Sequence, residues 1–255
     1  MSHFLRRLYR QTVRDLAEMA FPRYCVICGD RLTRGNLSVY CFRCLEELPL
    51  TRFGGKHDNP LSLRFGTLGP NFKEATASIY YDSESDYRKQ VLLFKYFDRP
   101  ELAVNVGKGM AWEVDGSGFF DTVDALVPIP LTEKRRQWRG YNQSEMLARG
   151  ISLCTGVPVV TDAIVRKTFR QSQTKLNEEQ RRENVKDVFE VARPELIKGK
   201  HIVIVDDVIT YGFTVINCAV KALAVEGVRV SIMAYAVAKS HMHYTPLPKH
   251  IHPWD

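Results

Sequence analysis

Four cysteines and two adjacent aspartates carry the clearest chemistry in this chain. Cys25-x-x-Cys28 and Cys41-x-x-Cys44 form two pairs with twelve residues between them. Two residues between thiols let both sulfurs of a tight turn face one ion, and two such turns complete the tetrahedral shell that Zn2+ prefers. Gly29 permits the positive φ that such a turn needs. With four thiolate ligands no position is left for water, so the ion would be structural. Two disulfides, disfavoured in a reducing compartment, or a chance spacing are the alternatives. The segment is too short for a hydrophobic core, so its folding is expected to depend on the metal. Cys154 and Cys218 fall on apolar helix faces and read as core residues.

Asp206 and Asp207 follow the apolar run Ile202–Val205, which reads as a buried strand ending at the carboxyl edge of a sheet, where open α/β sheets bind ligands. A short loop with Gly212 then leads into a helix whose free N–H groups and dipole attract an anion. Thr210 and Thr214 flank that glycine with hydroxyls. The arrangement is a phosphate cradle with carboxylates beside it, fit to hold the ribose hydroxyls of a sugar phosphate. The bland alternative is a pair of helix-capping residues. Neither a nucleoside-triphosphate loop nor a dinucleotide glycine motif is present.

These groups need a scaffold, and the chain supplies alternating strand and helix patterns. TASIYYD, DALVPIP, DVFEV, HIVIVDD and VRVSIMAYAVA read as strands. Helices are expected over 101–114, 142–154 and 213–225, with an amphipathic stretch over 87–97. Strands apolar on both faces and separated by helices indicate an α/β fold, a parallel sheet covered on both sides. The expected organisation is an amphipathic basic helix over 1–20, a zinc-binding module over 21–48 and a Gly/Pro/Asn-rich linker over 49–75. The α/β domain follows over 76–240, then a His-rich tail over 241–255 in which metal capture is a minor alternative.

At 255 residues, 45% hydrophobic and 25% charged, the chain is neither a disordered tail nor a disulfide miniature. No apolar run reaches membrane-span length and no secretory signal is evident, so a cytoplasmic location is expected, with at most peripheral membrane contact. The net charge is +7, and residues 1–56 hold ten Arg/Lys against five Asp/Glu. That patch suits polyanions, although a solvated basic face is equally consistent with charge alone. Lys134, Arg135, Arg136 and Arg139 with Trp138 make a second basic patch. It could complement pyrophosphate or pair with single-stranded nucleic acid, a solvated helix start being the alternative.

At the acidic pair the chain resembles the type I phosphoribosyltransferases, whose signature for phosphoribosyl pyrophosphate (PRPP) is an apolar strand, two acidic residues and a Thr/Gly/Thr loop. The resemblance implies that Asp206 and Asp207 hold the ribose hydroxyls. It also implies that Thr210, Tyr211, Gly212, Phe213 and Thr214 cradle the 5-phosphate, with Mg2+ accompanying PRPP. Tyr211 stands where that family has a small hydroxyl residue.

A narrower resemblance is to the ComF/GntX family of competence-associated proteins, which join an N-terminal zinc module to a phosphoribosyltransferase-like domain. It rests on Val127-Pro128-Ile129-Pro130-Leu131, Arg135, Arg136, Arg139-Gly140-Tyr141-Asn142-Gln143-Ser144-Glu145, and the later Gln173–Leu176, Arg181, Asn184-Val185 and Phe189. It implies that Pro128 and Ile129 lie where related enzymes bind pyrophosphate, that Arg139 faces the leaving group, and that residues 167–186 form a closing loop. Lys95 also matches a family position. Two functions follow as expectations: a PRPP-binding protein that assists the handling or uptake of single-stranded DNA, alongside other uptake proteins, or an active transferase moving ribose 5-phosphate from PRPP to a nitrogen acceptor.

Overall fold

The computed structural model describes residues 22–33, 38–82, 84–85, 87–88, 91, 100–167 and 188–239. The expected N-terminal basic helix, most of the 87–97 stretch with Lys95, the 167–186 loop beyond its first residue, and the His-rich tail lie outside them. The chain divides into two compact units, one ending at Leu48 and one beginning at Pro49.

In the first unit the chain doubles back on itself. Tyr24 bridges Arg31, and the Cys25 N–H donates to the Asp30 carbonyl at 2.7 Å. A short helix, α1 (Phe42–Glu46), follows. Ile27, Leu32, Val39 and Tyr40 are buried, a core of four apolar side chains besides the cysteines among the described residues.

The second unit begins with α2 (Pro60–Phe65), β1 (Phe72–Tyr81), α3 (Pro100–Glu113) and β2 (Ala125–Pro128). It continues with α4 (Glu133–Arg139), α5 (Gln143–Thr155), β3 (Ile164–Arg166) and β4 (Phe189–Val191), and ends with β5 (His201–Ile209), α6 (Phe213–Leu223) and β6 (Arg229–Ala238). Four strands form a parallel sheet in the order β1-β6-β5-β2. Its central strands are apolar on both sides because both faces are covered. Ile202, Ile204, Val230 and Ile232 join a core with Val215 and Ile216 of α6. The alternate residues Val203, Val205 and Met233 are equally buried, leaving the other face to α3 and α5.

Two glycines set how closely α3 and α5 approach. A Cβ on Gly107 would sit 2.1 Å from the Leu147 carbonyl oxygen, and one on Gly150 would sit 2.1 Å from that of Val104. Backbone therefore packs on backbone, and α5 lies close in, its N-terminus directed to the carboxyl edge of the sheet.

Three expectations are corrected. Residues 49–75 are not a bare linker. Residues 49–51 pair with the outer edge of β1, the Thr51 N–H donating to Ser78 O and the Tyr80 N–H to Pro49 O, which blunts an open sheet edge. Asn59 caps α2, its Oδ1 accepting from the N–H groups of Leu61 and Ser62 at 2.9 Å each, and Pro60 occupies the first helical turn. Leu61 and Phe65 are fully buried. The turn-forming residues thus start a helix. Second, DVFEV does not enter the parallel sheet: Phe189–Val191 pairs antiparallel with Ile164–Arg166 in a separate two-stranded sheet. Third, Cys154 is exposed near the end of α5, whereas Cys218 is buried as expected.

At the amino end of β5, His201 is buried between two hydroxyls, with Nδ1 2.8 Å from Thr122 Oγ1 and Nε2 2.9 Å from Ser231 Oγ. Burial, assisted by the charge of Arg229, holds its pKa below the ordinary 6.5. Between the two values the unfolded chain binds more protons than the fold, so stability falls as pH drops through that window and levels off beneath the folded value. Urea unfolding at about pH 8 and about pH 5.5 should show an acid-induced loss of stability in the wild type that is smaller in His201→Gln. An equal loss in both would remove His201 from the account.

Candidate functional site

In the first unit the chain folds so that Cys25, Cys28, Cys41 and Cys44 converge, every sulfur lying within 4.8 Å of the others. A tight turn brings Cys25 and Cys28 together, with the Gly29 N–H donating to Cys25 O at 2.9 Å and Gly29 at φ 78°. The second pair is set by α1, where Cys41 is the N-cap and its Sγ accepts from the Cys44 N–H at 3.5 Å. Cys28 Sγ and Cys41 Sγ are 3.7 Å apart. A tetrahedral ion bound by sulfur at about 2.3 Å requires about 3.8 Å between ligands, far longer than the roughly 2.05 Å of a disulfide. All six cysteines are free, and the four can hold a metal ion. Burial pushes the Cys44 thiol up to about 12, the neighbouring cysteines adding to the rise. A cation would reverse that preference by binding the thiolates.

The second site lies at the carboxyl edge of the parallel sheet. β5 delivers Asp206 buried and Asp207 half-buried. Asp206 Oδ1 accepts from the Ser144 hydroxyl at 3.3 Å and from the Asp207 N–H at 2.9 Å. Asp207 Oδ1 accepts from the Val208 N–H at 2.8 Å. Ser144 stands in the first turn of α5, whose N-cap Asn142 binds back to the end of β2, Nδ2 donating to Ile129 O at 2.9 Å. Pro128 ends β2, and the Ile129 N–H continues the ladder to Val205 O at 2.9 Å. The 127–131 turn and the acidic pair are thereby tied together through α5.

The loop after β5 is held from below. Gly212, at φ 79°, is the left-handed N-cap of α6. Its missing side chain matters twice, because a Cβ would also lie 3.1 Å from Cε1 of the fully buried Phe65. Arg64 Nη2 donates to Tyr211 O at 2.6 Å, and burial lowers its pKa. Thr210 and Thr214 are exposed on either side of Gly212. Tyr211 and Phe213 project their rings outward, 54% and 39% exposed. Cys218, buried on α6, has its thiol pushed up by burial and by the charge of Asp206.

The cationic side of the edge comes from α4 and β3. Thr132 caps α4, Gly140 ends it at φ 77°, and none of its residues is buried. Arg135 and Arg136 are exposed, as is Trp138, and the Arg139 guanidinium lies 6.0 Å over the Trp138 ring. Arg139 Nη1 also donates to Gln143 Oε1 at 2.9 Å. Sequence reasoning missed Arg166. Burial lowers its pKa, the like charge of Arg135 acts in the same direction and the carboxylate of Asp206 opposes both. Its guanidinium lies 5.4 Å over Phe189. An arginine in a three-residue strand carried no local signal of its place in a site. Arg64 and Phe65 were missed too, because their segment read as linker; Asn59-Pro60 was the signal that could have exposed them.

The model of the phosphoribosyl transferase domain matches residues 102–251. The DNA utilization protein YhgH of Escherichia coli strain K12 is 35% identical over 198 residues, covering 76% of this chain and 75% of that protein. The O157:H7 counterpart aligns over 38% of this chain and 41% of its own length, at 36% identity. Competence protein F of Haemophilus influenzae is 32% identical over 44% of this chain and 51% of that protein. Among solved structures, an adenine phosphoribosyltransferase aligns at 16% identity with a TM-score of 0.37, covering 59% of this chain and 80% of that one.

The bracing of the loop by Phe65 can be tested directly. Gly212→Ala places an L side chain in the left-handed region, at a cost of about 1–2 kcal/mol, and crowds the phenyl ring. The urea midpoint should fall with an unchanged slope, whereas an unaltered midpoint would mean that Gly212 does not constrain the loop.

Proposed function

We propose a function from one premise: the chain belongs to the phosphoribosyl transferase domain family, in its ComF branch, together with the DNA utilization and competence proteins that it matches. On that premise it is a PRPP-binding protein of the cytoplasm that assists the handling of single-stranded DNA. The observation that carries the first half is the placement of Asp206 and Asp207 toward the carboxyl end of β5, with a short loop after it leading to the left-handed glycine that opens α6.

The residues divide the ligand between them. The acidic pair accepts hydrogen bonds from the ribose hydroxyls, with Asp206 oriented by Ser144 and by the Asp207 amide. The 210–214 loop offers backbone N–H groups and the positive end of the helix dipole to the 5-phosphate. Arg135, Arg139 and Arg166, with the turn through Pro128 and Ile129, face the pyrophosphate. Gln143 Nε2 is buried without an acceptor among the described residues, a donor suited to an anionic ligand. Mg2+ bound with PRPP would supply neutralisation of the pyrophosphate charge beside these residues. The four cysteines hold Zn2+, whose tetrahedral sulfur preference matches their spacing, and the ion supports folding rather than reaction.

The second half rests on the names of the relatives and on the basic surface of α4 with its exposed Trp138. Phosphate backbones are held by such cations, and the affinity falls steeply with salt. No helix among the described residues is long and apolar enough to cross a membrane.

Titration of Mg2+·PRPP into zinc-loaded protein should give saturable heat in the wild type and none in Asp207→Ala. Normal binding by the variant, or no heat in either protein, would overturn the PRPP assignment. Chelation of zinc should make the 22–48 module protease-sensitive while the unit from Pro49 onward stays resistant; a module still resistant without metal would overturn the structural role of zinc.

A further inference from the structure

Two large aromatic rings are partly exposed on the 210–214 loop. Tyr211 and Phe213 flank Gly212, their centroids 5.9 Å apart and their planes 15° from parallel, an offset stack that leaves 54% of Tyr211 and 39% of Phe213 exposed. Binding a phosphate does not require them, because the backbone N–H groups of the loop serve that purpose whatever side chains the residues carry. The backbone that carries them is held in place: Arg64 donates to the Tyr211 carbonyl at 2.6 Å, and Gly212 rests on the buried Phe65 ring. Aromatic side chains held in this way offer contact area at little conformational cost.

We infer that the Tyr211–Phe213 stack is a platform for unpaired bases of single-stranded DNA, an inference that rests on the DNA-handling reading above. Every base has a π-face, so stacking on such a pair tolerates any sequence. Bases inside a duplex already stack on one another and cannot use it. The surroundings suit the rest of a strand rather than a protein partner. Arg64 donates to the Tyr211 carbonyl, and Arg166 feels the like charge of Arg135 and the carboxylate of Asp206, which puts cations as well as the acidic pair at this sheet edge. A backbone running along that edge would meet cations while its bases turn onto the rings. Tyr211, anomalous for a loop that only binds phosphate, gains a role from this arrangement.

The test uses the full zinc-loaded chain and two labelled strands of equal length, an oligothymidylate and its abasic counterpart, followed by fluorescence anisotropy. Wild-type protein should bind the thymidylate at least about tenfold more tightly. Tyr211→Leu/Phe213→Leu should lose that preference and keep the salt dependence that phosphate contacts impose. Photocross-linking of a 5-bromouracil strand to the wild type gives a reading independent of the folding of any variant, and the adduct should map to residues 210–214. Equal, salt-dependent binding of both strands by the wild type, or an adduct elsewhere, would overturn the platform and leave the DNA reading standing. Binding of neither strand would overturn both. Competition by free thymidine monophosphate as effective as that by the oligomer would replace DNA with a free nucleotide.

Discussion

A carboxylate buried at the end of a central strand is costly unless its oxygens find donors. Asp206 meets that demand with the Ser144 hydroxyl and the Asp207 amide, and the field of Arg166 acts on the same group. Each partner sits on a different element, so the requirement draws α5 and β3 toward the end of β5. Asn142 then anchors α5 to Ile129 at the end of β2. The close contact at Gly107 and Gly150 permits the approach, because a single methyl group at either position would strike a backbone carbonyl. Satisfying one buried charge therefore organises the whole carboxyl edge.

A related economy operates beneath the loop. Phe65 is part of the apolar core and also the floor on which Gly212 rests. The conformation that exposes the N–H groups of α6 is maintained by ordinary hydrophobic packing, with Arg64 fastening the preceding carbonyl. The left-handed φ and the contact with Phe65 both require glycine, for independent reasons. Tyr211 is tolerated because its ring points away from this crowded floor.

Much of this was legible in the sequence. Apolar runs and their turn residues marked the parallel strands to within a few residues, since a doubly covered sheet leaves a strong periodic signal. The cysteine spacing stood out because coordination geometry dictates it locally. The acidic pair and the 210–214 loop were visible because one strand, turn and helix build them contiguously. What escaped notice depends on contacts between distant segments. Nothing near Arg166 says that it will face Asp206. Residues 49–75 looked like linker because the turn formers outweighed the short apolar spacing of Leu61, Phe65 and Leu68. DVFEV read as one more sheet strand, since a run of that length does not reveal its partner.

The contact of Phe65 with Gly212 also bears on how the chain reaches its fold. The two residues lie far apart in sequence, and contacts of such high separation come late, after the loop-closure entropy of everything between them has been met. During synthesis the floor leaves the ribosome long before the loop that rests on it, and although Phe72 can pack on Phe65 early, the face that meets Gly212 has no cover until β5 and α6 emerge. A fragment begun at residue 76, where the apolar run of the first strand is most obvious, would contain every residue of the 210–214 loop and lack the surface that gives the loop its shape.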